Sequence, residues 1–210
     1  MIFFIRFVRS QFEDCLPSER NIRKWLESLD GNPGFSVEVL EHLRVINLKE
    51  QIYASLSLDE MSIKSDYCFD GKRFKGNVDF GVDRNENNTS CSKIELAHQV
   101  LVFFLVALNC HWKIAIGYMF IAALPAAERH KLVEKCISKL KETGVIITNI
   151  TFDAPSVNIS LLQKLGACIL PTCMQPRTNI TSLNPIFVLL DNAHMLKESH
   201  QEIQWCIDSR

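Results

Sequence analysis

Apolar and polar residues follow two different periods along this chain, and the points where the period changes predict its elements. Pro17-Ser18 opens a helix with Ser18 as N-cap; Ile22, Trp25, Leu26 and Leu29 recur on one face, and Gly31 closes it. Asn32-Pro33-Gly34 reads as a turn, and Ser36 caps a second short helix through Leu43. Residues 1–46 are thus expected to form a helical N-terminal segment. A first strand is expected over 50–58. Residues 61–69 and 72–80 then suit a hairpin turning at Asp70-Gly71. The polar stretch 83–92 reads as a surface loop.

The continuous apolar runs 95–110 and 112–124 predict central strands buried on both faces. Pro125 opens a helix whose stripe is Leu132, Val133, Cys136, Ile137 and Leu140, and Gly144 ends it. A strand over 145–152 follows, then a helix capped by Ser156 and stopped by Gly166. Residues 167–184 read as irregular, 186–190 as a last strand, and 193–207 as a final helix. An antiparallel run followed by strand–helix alternation indicates an α/β protein with a mixed sheet.

Composition narrows the function. The chain has 210 residues, enough for one sizeable domain with or without a small appendage. Lys plus Arg total 23 against 24 Asp plus Glu, a net charge of −1, which argues against a stand-alone electrostatic DNA binder. Eight cysteines lack any CxxC pairing, so a zinc site is not expected, and their scatter suits reduced core residues in the nucleus or cytoplasm. No membrane association is expected: a span reaching from Val100 to Leu124 would bury Asn109, His111 and Lys113 in lipid.

The candidate chemistry lies in two aspartates that follow hydrophobic runs, Asp59 after 55–58 and Asp153 after 145–152. In an open α/β sheet, acids at the C-terminal ends of strands face the crevice where ligands bind. Two carboxylates meeting there can hold one or two Mg²⁺ ions; the alternative is that each Asp caps the segment after it. His194, three residues after Asp191, reads as a hydrogen-bonded structural group. Lys64, Lys72, Arg73 and Lys75 suit contact with DNA phosphates or, equally, salt bridges with the interspersed Asp66, Asp70 and Asp79. Trp25 and Trp112 are expected as core anchors.

Several stretches carry a resemblance, in order along the chain. They are Leu16-Pro17-Ser18-Glu19-Arg20 through Trp25, Pro33-Gly34-Phe35, and 57–64 with Phe69 to Gly76 and Val78-Asp79-Phe80-Gly81. Leu108 to Lys113 with Gly117-Tyr118, Phe152-Asp153-Ala154-Pro155-Ser156, and Asp191 to Lys197 follow. Together they resemble the catalytic region of the P-element-type DNA transposases, including the THAP-domain transposases. The resemblance implies a ribonuclease-H-like mixed sheet flanked by helices over residues 47–210, with Asp59 and Asp153 side by side as the first two catalytic, metal-binding acids. It also implies Mg²⁺ or Mn²⁺ as cofactor, transposon-end DNA as substrate, homo-oligomeric assembly and a nuclear setting.

In that family the third acid is a Glu on a late helix, beyond an inserted domain implicated in GTP binding. The chain stops at Arg210, where that insertion is expected to begin, so it reads as truncated before the GTP-binding insertion and the third acid. Glu60, Asp191, Glu198 and Glu202 are the alternatives nearest in sequence. Glu198 also departs from the basic stretch that the family tends to carry there. The expected function is DNA cleavage and strand transfer by metal-assisted phosphoryl transfer, with activity of the isolated chain left open. One alternative is a domesticated, non-catalytic interaction module. Another is a stand-alone nuclease completing its site with Asp191.

Overall fold

The computed structural model describes residues 11–12, 16–21, 24, 31–69, 74–81, 95–153, 156–170, 173–179 and 185–191. Contacts divide the chain into residues 1–32 and a larger unit from Pro33 onward. In the first unit the Ser18 hydroxyl accepts the Asn21 amide at 3.3 Å, as an N-cap should. Trp25, Leu26 and Leu29 lie outside the described residues, as do the 70–73 turn, the 83–92 loop and the 193–207 helix.

The larger unit runs β1 (Gly34–Phe35), α1 (Val37–Asn47), β2 (Tyr53–Ser62), β3 (Cys68–Phe69), β4 (Phe74–Lys75), β5 (Gln99–Ala107) and β6 (Lys113–Ile121). It continues with α2 (Ala126–Glu142), β7 (Ile146–Phe152), α3 (Ser156–Lys164), β8 (Cys168–Leu170), β9 (Cys173–Gln175) and β10 (Phe187–Leu190). Six strands form one mixed sheet in the order β1-β6-β5-β2-β7-β10. The pairs from β1 to β2 are antiparallel. Those of β2 with β7 and of β7 with β10 are parallel. This mixed α/β sheet flanked by helices is the expected class. Both β1 and α1 fall in the unit that begins at Pro33.

Local chemistry explains the element ends. Ser36 caps α1 through its hydroxyl, which accepts the Val39 amide at 3.3 Å. Gly144, at φ +81°, turns the chain out of α2 in a left-handed conformation that a side chain would strain. Gly117 serves close approach instead: a Cβ there would stand 2.5 Å from the Gly34 carbonyl oxygen, so only glycine lets β1 pair with β6. Phe35 then sets its ring edge-to-face on Phe103 with centroids 5.3 Å apart.

The core fills one side of the sheet. Leu56 of β2, Leu101, Phe103 and Leu105 of β5, Met119 and Ile121 of β6, and Ile150 and Phe152 of β7 are buried with Val133, Cys136, Ile137 and Leu140 of α2. Trp112 packs against this cluster, as expected. The alternate positions on the central strands, including Ser55, Ser57, Val102, Phe104 and Val106, are only half-buried. The apolar runs thus do not mark strands buried on both faces; β5 alternates fully buried with half-buried residues. The 61–80 hairpin appears as β3 paired with β4, while Met61 and Ser62 extend β2. Within a stretch expected to be irregular, Cys168–Leu170 and Cys173–Gln175 pair antiparallel as β8 and β9.

Candidate functional site

Asp59 lies in β2, and Asp153 directly follows β7, the neighbouring parallel strand. Ser57 pairs with Thr151, and Asp59 and Asp153 each lie two residues further along. Because side chains alternate across a strand, continuing each strand by two residues would bring both acids to the same face. Asp59 differs from expectation in one respect. It is not at the strand end, since β2 runs to Ser62, with Glu60, Met61 and Ser62 paired to Leu101, Val100 and Gln99 of β5. Backbone pairing needs no apolar side chains, so the strand outlasts its hydrophobic run. The edge shared with β7 nevertheless stops at Ser57, and Asp59 stands exposed just beyond it.

A β-bulge creates this alignment. Ala54 pairs with Ile147 but Ser55 pairs with Asn149, leaving Thr148 as an extra residue in β7. Without that insertion the register would set Asp59 opposite Phe152, and a one-residue slip exchanges faces. The bulge is fastened by polar side chains. The Thr148 hydroxyl donates to Asn149 Oδ1 at 2.9 Å and lies 3.3 Å from the Ala54 carbonyl oxygen. Asn149 Nδ2 donates to the hydroxyls of Ser55 and Thr151 at 2.6 and 3.2 Å. A half-buried polar file thus leads along both strands to the acids.

Each carboxylate has one oxygen already engaged. Asp59 Oδ1 accepts the Glu60 amide at 2.9 Å. Asp153 Oδ1 accepts Asn158 Nδ2 at 2.7 Å, and the same amide group reaches the Asp153 carbonyl at 3.1 Å. Asn158 is buried on α3 and its Oδ1 accepts from Arg129 NH1 of α2 at 2.8 Å. Arg129, also buried, forms an ion pair with Glu60. The arginine's Nε has no hydrogen-bond partner in the structure, so this pair carries a desolvation cost that the fold tolerates.

Of the alternative third acids, Glu60 is committed to Arg129, while Glu198 and Glu202 lie outside the described residues, as does His194. Asp191 follows β10, where Leu189 pairs with Thr151, and its amide donates to the Phe152 carbonyl at 3.0 Å. It therefore falls on the same rung as Asp153, on the other side from Asp59. Among the described residues, no three His, Cys, Asp or Glu side chains come close enough together to hold a metal ion. Lys64 pairs with Asp66 at 3.3 Å, the salt-bridged alternative for that segment; Lys72 and Arg73 lie outside the described residues. No helix among the described residues is long and apolar enough to cross a membrane.

Residues 31–166 match the family described as TNP-like, RNase H N-terminal domain. The chain belongs to this family. It is 25% identical over 156 residues to the human DNA transposase THAP9, an alignment covering 72% of this chain and 17% of the relative. Its fold resembles a chain of the Drosophila P element transposase strand transfer complex with a TM-score of 0.60 and 17% identity, over 93% of this chain and 40% of that one. The protein thus contains a ribonuclease-H-like region of the P-element transposase type and spans a minor part of the relatives it matches.

The structure also accounts for motif residues that carry no acid. Gly117 admits β1. Asn109 clamps the far end of β2, its Oδ1 accepting the Tyr53 amide at 3.1 Å and its Nδ2 donating to the Gln51 carbonyl at 2.8 Å. Sequence reasoning missed Thr148, Asn149, Arg129 and Asn158. Asn149 and Asn158 begin Asn-x-Ser/Thr triplets, yet the structure uses both inside the domain. Polar residues inside a strand pattern, and a basic residue in the first turn of an apolar-striped helix, were the available signals.

Proposed function

We propose that this chain is the catalytic-strand portion of a P-element-type transposase, with Asp59 and Asp153 as the first two carboxylates of a metal-dependent DNA cleavage and strand-transfer site. The observation that carries this is the parallel pairing of Ser57 with Thr151, which supports a shared position for the two acids two residues on. The donors suit Mg²⁺ or Mn²⁺ in kind: both are carboxylates, one exposed and one half-buried, and each has an oxygen outside the bonds described above. A cation of this kind keeps several waters and accepts phosphate oxygens, so two carboxylates supply only part of its shell.

When bound, the cation would activate the attacking water or hydroxyl and stabilise the leaving oxygen at the scissile phosphate. The chain's own contribution is geometric. The bulge at Thr148 sets the register that would bring the two acids to one face, and the hydrogen bonds to Glu60 N and Asn158 Nδ2 hold one oxygen of each. Asp191, on the other flank of Asp153, is the nearest further acid in the register. The substrate is DNA at transposon ends and the working form a nuclear homo-oligomer; the likeness to a strand transfer complex and to a human DNA transposase supports this reading.

The test is divalent-cation binding by the purified chain, followed by water-proton relaxation with Mn²⁺. Binding that is lost in both Asp59→Asn and Asp153→Asn supports the proposal. Binding unaffected by either substitution, or absent from the parent chain, favours a transposase-derived interaction module without catalysis.

A further inference from the structure

We infer that Asn158 is a positioning residue for Asp153, and that buried Arg129, paired with half-buried Glu60, fixes which way its amide points. The inference deepens the reading of Asp153 as a metal-binding acid and rests on it. Arginine has only donors to offer, so the Asn158 oxygen must face Arg129 NH1, at 2.8 Å. The amide nitrogen is then compelled to face Asp153, where it donates to Oδ1 at 2.7 Å and to the backbone carbonyl at 3.1 Å. An asparagine free to flip could present its oxygen to the carboxylate and repel it; this one has that choice removed.

The same chain of contacts joins the two acid positions from behind. Glu60 is the residue after Asp59, but strand alternation sends its side chain to the helix-covered face, where Arg129 of the first turn of α2 meets it. Arg129 also holds Asn158 of α3, which holds Asp153. Helix α2 is therefore the common anchor for both loci. Burial makes the anchor stiff, because Arg129 and Asn158 expose only 5% and 2% of their surfaces. Groups that orient a metal ligand from outside the coordination shell typically change affinity by about 10- to 100-fold when removed.

Two measurements on the purified chain test this. The first is metal-free: the side-chain amide resonance of Asn158, assigned by ¹⁵N NMR, should shift on Asp153→Ala and again on Arg129→Met. A resonance that ignores either change overturns the relay, whatever the metal does. The second is Mn²⁺ affinity by water-proton relaxation, comparing the parent chain with Asn158→Leu and with the combined variant Glu60→Leu, Arg129→Met, Asn158→Leu. Replacing the whole buried polar set with apolar residues of similar volume avoids stranding a charge, so the combined variant keeps the fold even where Asn158→Leu alone does not. The relay predicts affinity about tenfold weaker or more in the combined variant, with its melting temperature in EDTA close to the parent's. Equal affinity in parent and combined variant overturns it. If the parent binds no Mn²⁺ while the Asn158 resonance responds at both ends, the metal reading fails and the orienting contact stands.

Discussion

The two ends of the β2–β7 strand pair are built on opposite plans. At the Tyr53 end, side-chain amides close every turn. Asn109 brackets β2 from the β5–β6 connection. Asn47 Oδ1 accepts the Ile52 amide at 2.9 Å, and Gln51 Nε2 donates to the Gly144 carbonyl at 2.9 Å. At the Asp59 end the strands part, the carboxylates reach the surface, and the ordering contacts come from beneath, through Arg129 and Asn158. One end uses its polar groups to fix the backbone; the other leaves one oxygen of each carboxylate outside the hydrogen bonds described above. On the proposed function, stability and chemistry are thereby separated along a single pair of strands.

That separation can be broken or sharpened by substitution. The largest effect should come from the core that both ends share: Phe103→Ala, at a fully buried position, should cost about 3–5 kcal/mol in urea unfolding and weaken both ends together. Asn109→Ala removes two backbone hydrogen bonds at the clamped end and should cost roughly 1–3 kcal/mol while leaving Mn²⁺ affinity unchanged. Asp59→Asn should do the reverse, changing stability by no more than about 0.5 kcal/mol because the residue is exposed and its amide contact survives, while abolishing cation binding. A large stability loss in Asp59→Asn would mean that the acid end is structural after all.

A further effect concerns pH. Burial pushes the Cys136 thiol well above the ordinary cysteine range. The folded chain therefore keeps it neutral, whereas the unfolded chain ionises it near pH ~8.5. Its contribution is fully present below that pH and is lost as pH rises above it. Unfolding midpoints should accordingly fall from pH ~8 to pH ~10 in the parent and less steeply in Cys136→Ala, measured as the difference between the two curves.

Much of the fold was legible because its elements obey simple periods. The α2 stripe of Leu132, Val133, Cys136, Ile137 and Leu140 and the stop at Gly144 need only helical spacing and a left-handed glycine. Asp59 and Asp153 stand out as candidates from their place after apolar runs and from the motifs around them. The rest depends on register, which no local pattern encodes. Thr148 looks like one more strand residue, yet as a bulge it decides whether the two acids share a face. Arg129 looks like a solvated helix residue, and only the fold reveals that Glu60 and Asn158 wait for it inside. The β8–β9 pair was hidden because strands of three residues are too short to show a period.

The central claim is that Asp59 and Asp153 hold one cation together, and Mn²⁺ broadening of their carboxyl ¹³C resonances tests it most directly. The account predicts that both signals broaden at the same Mn²⁺ concentration, and that Asp153→Asn abolishes the broadening at Asp59. Broadening of the two signals at separate concentrations, or broadening at Asp59 that survives Asp153→Asn, would contradict it.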